Sequence, residues 1–238
     1  MSKIVAIIPA RYDSKRFPGK LLERINEKTI IQLTYERVKQ ATKIDEIIIA
    51  TDDQRIIDEC RTFGANAELT FVSHKSGTDR CAQVASEFWG DDIIINVQAD
   101  EPFIEPDIID LLAQKMQDDS WIEIATLCTE IKAIDEKLNT NIVKVVKDIN
   151  NNALYFSRAP IPFDRDSKGD TPAFRHIGIY GYRNKVLQSI TKLPESTLEK
   201  TEKLEQLRWL ENNYKIHAFE TDYQGFGIDT PEDLKKYL

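Results

Sequence analysis

The 238-residue chain has no apolar run long enough to span a membrane. It also lacks a signal-peptide pattern: "KIVAIIPA" is too short for an h-region, and no small-residue cleavage site follows it. Cysteine is scarce, and Cys60, Cys81 and Cys128 are too widely spaced to suggest a zinc site or a disulfide framework. They read as buried, reduced thiols. Positive charge is in deficit, with a formal net charge of −8 and no extended basic stripe, which argues against a nucleic-acid surface. Internal repeats, low-complexity tracts and linkers are missing. So are the two Gly-rich phosphate signatures, G-x-x-x-x-G-K-[ST] and G-x-G-x-x-G. What remains is the expectation of a soluble cytoplasmic protein.

With 41% hydrophobic residues the chain can bury a substantial core. Strand-length apolar runs alternate with helical patterns. "KIVAIIP" (3–9), "EIIIA" (46–50) and "DDIIINV" (91–97) read as buried strands, and "AELTFV" (67–72) as a further one. Helical spacing follows at 30–41, at "DDQRIIDECRTFG" with Gly64 as its stop, and at "TDRCAQVASEFW". Repeated strand–loop–helix units predict an α/β fold with a doubly wound, mostly parallel nucleotide-binding sheet. After residue 120 the spacing becomes hairpin-like, with an Asn-rich turn in "VVKDINNNALYF". The expectation is one domain, 1–238, carrying a small β-rich lobe at roughly 125–175. A helix around 198–212 and a short one begun by Pro231 close the chain.

Where, then, does chemistry reside? "IIPARYDSKRFPGK" (7–20) runs off the first strand into a loop bearing Arg11, Lys15, Arg16 and Lys20 around Pro18-Gly19. Glycine permits close backbone approach, and arginine and lysine together suit a polyphosphate. The bland alternative is a solvated cationic loop. Asp100 and Glu101, in "NVQADEP" (96–102), lie just past a strand end, where carboxylates commonly hold Mg²⁺ with phosphate oxygens; a turn or cap aspartate is the alternative. Asp52 and Asp53 fit a turn or cap better, and Asp229 in "GFGIDTPEDL" reads by itself as a cap. "HKSGTDR" (74–80) opens a helix with Ser76 or Thr78 as N-cap, amides that suit a base or phosphate, and Arg80. His176 reads more simply as a hydrogen-bonded core histidine. Glu205 and Gln206 flank a Leu204, Leu207 and Leu210 stripe and need be no more than solvated.

Taken in order, "IPARYDSKRFPGK", "ATDD", "SGTDR", "NVQADEP", "YFSRAPIP", "HIGIYGYR", "LEQLRWLE" and "GIDTPEDL" resemble the 3-deoxy-manno-octulosonate (KDO) cytidylyltransferase family, from Ile8 to Leu234. The resemblance implies transfer of CMP from CTP to KDO with release of pyrophosphate, in lipopolysaccharide biosynthesis, with Mg²⁺ as cofactor. It implies Arg11 and Lys20 on the triphosphate, and Ser76, Arg80, Gln98 and the backbone around Ala10 on the nucleotide. Asp100 and Asp229 would be the metal ligands, with Arg11, Lys20 and Asp100 central to catalysis. The sugar site would comprise Arg158 for the KDO carboxylate, with His176, Tyr180, Glu205 and Gln206 for its hydroxyls. Cationic loop and sugar lobe would face each other across a closing cleft. A homodimer is implied, with neither nucleic acid nor membrane as partner.

Two departures stand out. The family text has glycine where this chain has Ala99, which is tolerable where φ is negative. Asp13 and Lys15 replace small or hydroxyl residues in the loop. The same motifs are compatible with 8-amino-KDO as substrate, whereas "YFSRAPIP" and "LEQLRWLE" argue against sialic acid. A non-catalytic nucleotide-binding regulator with this fold is the reading from another class. Lys20, Asp100 and Asp229 together speak against it.

Overall fold

The computed structural model describes residues 2–14, 16–166, 171–225 and 227–237. The first half comprises β1 (Ile4–Ala10), a 3-10 turn at Lys20–Leu22, β2 (Arg24–Ile25), β3 (Lys28–Thr29), α1 (Ile30–Val38), β4 (Glu46–Thr51), α2 (Gln54–Thr62), β5 (Ala67–Leu69), α3 (Gly77–Ala85), β6 (Ile93–Asn96) and α4 (Pro106–Asp118). The second half adds β7 (Ile124–Glu130), α5 (Ile134–Leu138), β8 (Lys144–Lys147), β9 (Ala153–Ser157), β10 (Phe174–Arg183), α6 (Asn184–Ile190), α7 (Thr197–Glu202), α8 (Gln206–Glu211), β11 (Ile216–Glu220) and α9 (Pro231–Lys235).

One nine-stranded sheet carries the order β11-β7-β10-β6-β1-β4-β5, with the β8–β9 hairpin attached at β10. Strands β6, β1, β4 and β5 run parallel, and β7 and β11 form a second parallel pair. Along β1, Ile4, Ala6 and Ile8 enter one core cluster while Val5 and Ile7 enter the other. That period-two division explains the unbroken apolar text: both faces of the strand are covered. β10 reverses direction and pairs antiparallel with both β6 and β7. The α/β architecture is as expected, parallel through its first half and antiparallel around β10. No helix among the described residues is long and apolar enough to cross a membrane.

Two elements differ from the sequence reading. The strand placed at 67–72 ends at Leu69, and Phe71 and Val72 are exposed. β5 is the sheet edge among the described residues, and past Thr70, whose amide still donates to the Thr51 carbonyl, the chain leaves the ladder: the Phe71 amide donates instead to Gln83 Oε1. The single helix placed around 198–212 is two. Lys203 adopts a left-handed φ of 56° and its amide closes α7 on the Glu199 carbonyl. This turn lets Leu204 and Leu207 enter the core together.

Candidate active site

The loop after β1 closes on itself. The Gly19 and Ser14 amides both donate to the Tyr12 carbonyl, at 2.9 and 3.0 Å. Gly19 sits at φ 74°, and a Cβ there would lie 3.0 Å from the Tyr12 hydroxyl, so both conformation and space call for glycine. The Tyr12 ring is covered by the Arg55 guanidinium, 3.3 Å from its centroid, and Asp53 grips Arg55 while capping α2. This folded loop delivers Lys20 inward as a buried cation.

Lys20 Nζ donates to Asp100 Oδ2 at 2.5 Å, to the Ile228 carbonyl at 2.9 Å and to Asp229 Oδ1 at 3.3 Å. Arg16 adds a 2.8 Å ion pair to Asp229. The two carboxylates come from sequence positions far apart and meet because the Ile228 amide donates to the Asp100 carbonyl at 2.8 Å. The structure also settles which residue caps α9. Thr230 accepts from the Asp233 amide, and the Asp233 carboxylate reaches back to the Thr230 and Asp229 amides. Asp229 is therefore not the cap, and its side chain is directed to the cations. Ala99 has no positive φ, and its carbonyl accepts from Thr34 Oγ1 at 2.9 Å, so the extra methyl is accommodated.

A cavity of about 810 Å³ opens beyond the carboxyl ends of β1 and β6. This is where ligands of open α/β sheets bind. Arg11, Lys20, Ser76, Arg80, Gln98, Asp100 and Asp229 line it from the nucleotide motifs, and Arg158, His176, Tyr180 and Gln206 from the sugar motifs. Ala10 is buried at the end of β1 and Glu205 lies behind the lining. Lys15 falls outside the described residues.

Individual environments are specific. Arg11 is exposed and makes no ion pair among the described residues. Arg80 is buried, donating to Asp52 Oδ2 at 2.6 Å and to the Thr70 hydroxyl. Ser76 caps α3 in a reciprocal capping box with Asp79, and its hydroxyl also donates to Glu205 at 3.0 Å. Thr78 (2.7 Å) and Arg208 (2.7 Å) complete the donors on Glu205, which is thus far from merely solvated. Burial pushes the Glu205 carboxyl up against these stabilising donors. Among the described residues the Arg158 guanidinium hydrogen-bonds to carbonyls alone, those of Glu202 (3.0 Å) and Thr140 (3.3 Å). His176 is packed edge-on against Phe156 and hydrogen-bonded to Thr126 Oγ1 at 3.0 Å, and burial pulls its pKa down to about 3. It is a neutral imidazole at pH 7. Tyr180 stacks on Tyr182 and meets Trp209 edge-on, and its buried hydroxyl has no partner among the described residues.

Two further lining residues, Glu101 and Arg175, carry no assigned role in the sequence reading, although Glu101 stands there beside Asp100 as a strand-end carboxylate. Glu101 is pushed up to about 8, first by burial and then by the neighbouring Asp100 charge. Arg175 reaches the wall with hydrogen bonds to the Tyr223 and Gly225 carbonyls at 3.4 and 3.5 Å. Glu101 lies in the turn after β6 and Arg175 within β10, and the surroundings of a single charged side chain leave no mark in either local text.

Asp100 and Asp229 are oxygen donors of the kind that could hold a divalent cation. The two carboxylates converge on the Lys20 ammonium, and among the described residues no third His, Cys, Asp or Glu joins them to close an all-protein cage.

A cytidylyltransferase family model matches residues 5–216. The 3-deoxy-manno-octulosonate cytidylyltransferase of Solibacter usitatus (strain Ellin6076) is 47% identical over 234 residues, covering 98% of this chain and 92% of its own. That of Syntrophotalea carbinolica (strain DSM 2380 / NBRC 103641 / GraBd1) is 49% identical, with 97% and 95% covered. Among solved structures, CMP:2-keto-3-deoxy-manno-octonic acid synthetase complexed with CTP superimposes with a TM-score of 0.94 at 44% identity, over 99% of this chain and 96% of that one.

Proposed function

This chain belongs to the 3-deoxy-manno-octulosonate cytidylyltransferase family, and on that premise we propose that its cavity joins CTP to KDO, giving CMP-KDO and pyrophosphate for lipopolysaccharide assembly. One observation carries the reading beyond likeness. Lys20, Asp100 and Asp229 converge in the same cavity whose other wall presents Arg158 without a carboxylate partner among the described residues. A magnesium nucleotide and an acidic sugar are the pair of ligands that need both.

The chemistry forms a bond between the anomeric oxygen of the sugar and the α-phosphorus, and breaks the bond to the β-phosphate oxygen. Pyrophosphate leaves and the hydroxyl proton passes to solvent. Such a displacement calls for positioning and charge neutralisation rather than a covalent nucleophile. Arg11 and Lys20 hold the triphosphate and offset charge on the departing pyrophosphate. Since the Ser76 and Arg80 side chains are already engaged, the cytidine is met by the amides opening α3, with Gln98 between nucleotide and sugar. Arg158 takes the sugar carboxylate, while His176, Gln206 and the unpartnered Tyr180 hydroxyl face its hydroxyls and Glu205 braces that wall. Magnesium held by Asp100 and Asp229, when bound, supplies Lewis-acid stabilisation of the phosphates and lowers the pKa of the attacking hydroxyl.

Three buried reduced thiols support a cytoplasmic setting. Exposed Ile134, Leu138, Ile149 and Leu154 support a homodimer, which sedimentation equilibrium tests; a single monomeric species at micromolar concentration would rule it out. The function is tested by pyrophosphate release with Mg²⁺ and CTP, supplying KDO, 8-amino-KDO or sialic acid in turn. KDO is expected to support turnover. Preference for 8-amino-KDO would reassign the sugar, and silence with all three would leave a nucleotide-binding regulator. Asp100→Ala is expected to lower turnover by about a hundredfold or more while the protein stays folded.

A further inference from the structure

Lys144 is fully buried. A covered ammonium needs acceptors for its three N–H groups, and a carboxylate is the usual supply. Here all three acceptors are backbone carbonyls: Asn139 at 2.9 Å, Ile142 at 2.7 Å and Arg158 at 2.6 Å. The first two belong to the segment between α5 and β8, which gives Asn141, Ile142 and Val143 to the cavity wall. In the same segment the Thr140 carbonyl accepts from Arg158 Nη1. Lys144 thus ties together the arginine backbone and the turn on which the arginine head rests.

Glu202 secures the other side. Its carboxylate accepts from the Arg158 amide at 3.0 Å and from Ser157 Oγ at 2.6 Å, and its carbonyl accepts from Arg158 Nε at 3.0 Å. Two edges of the guanidinium are therefore held by neutral carbonyls, which fix its orientation without neutralising its charge. An ammonium serving carbonyls adds positive potential nearby, and burial together with the Arg158 charge pulls the Lys144 pKa below the ordinary lysine value.

We propose that Lys144 and Glu202 are positioning residues for the acidic substrate, orienting the Arg158 guanidinium toward an incoming carboxylate. The inference rests on the KDO cytidylyltransferase reading. Its test is steady-state kinetics with CTP and KDO each varied, on wild type, Lys144→Met, Glu202→Gln, Arg158→Ala and the Lys144→Met/Arg158→Ala double variant. Lys144→Met should raise KM for KDO about tenfold or more while KM for CTP stays within about twofold. On the Arg158→Ala background it should add little, because its effect passes through that arginine. An unchanged KM for KDO, an equal rise in both KM values, or effects that multiply in the double variant would each overturn the proposal.

Where Lys144→Met does not accumulate as folded protein, Glu202→Gln decides by the same split: it keeps the volume, is only partly buried, and loses one of two acceptors. Wild-type turnover with KDO alongside unchanged variants refutes the positioning role alone. Absence of wild-type turnover refutes the underlying reading, and the inference with it.

Discussion

Lys20 lies buried between two carboxylates that would repel each other without it. The contact predicts a specific stability pattern. Lys20→Met should lower the melting temperature of metal-free protein, and added Mg²⁺ should recover more for the variant than for wild type. Differential scanning fluorimetry checks this; an equal Mg²⁺ response in both proteins would detach Lys20 from the acidic pair. Glu101 makes a second case at this scale. Its carboxyl is pushed up from an ordinary 4.5 to about 8, so between those values the folded state holds a proton that the unfolded chain releases. The stability from this group is complete below 4.5 and lost as pH rises through 8. Glu101→Gln cannot ionise. In metal-free protein it should melt close to wild type near pH 5 and be the more stable at pH 9, by about 1 kcal/mol or more. A gap that does not grow with pH would contradict the assignment.

At the level of elements, α3 shows how a cap can also be a strut. Ser76 opens the helix and donates to Glu205 just before α8, joining the nucleotide wall to the sugar wall. Ser76→Ala should cost about 1 kcal/mol of stability and raise KM for CTP; a stability loss with KM unchanged would limit Ser76 to capping. Much of this scale was legible beforehand. Apolar runs marked β1, β4 and β6, Gly64 marked the end of α2, and the Asn-rich turn marked the β8–β9 hairpin. The break at Lys203 was not, because a lysine in a left-handed turn carries none of glycine's signature. Asp229 read by its own local text as a cap, and only the family resemblance raised it as a ligand, since a capping aspartate and a ligand share one local pattern. The structure gives the cap to Thr230 and packs 227–229 against Asp100. Lys144 was invisible for a related reason: within an alternating strand, nothing local tells a buried lysine from a solvated one.

For the molecule as a whole, the acidic balance that argued against a nucleic-acid surface conceals a local reversal. Arg11, Lys20, Arg80, Arg158 and Arg175 all reach one cavity of a chain with a net charge of −8. Topology brings this about. The carboxyl ends of β1 and β6 deliver the first cationic loop and the Asp100 turn, while β10 runs back antiparallel and carries Arg175, His176 and Tyr180 to the same rim. Transfer of CMP to an acidic sugar at this rim is the proposal to test. Phosphorus-31 NMR of wild-type protein with Mg²⁺, CTP and KDO tests it most directly. The three CTP resonances should give way to one phosphodiester resonance and pyrophosphate in equal molar amounts, and only when KDO is present. CTP that persists unchanged with KDO, or pyrophosphate that appears without it, would contradict the account.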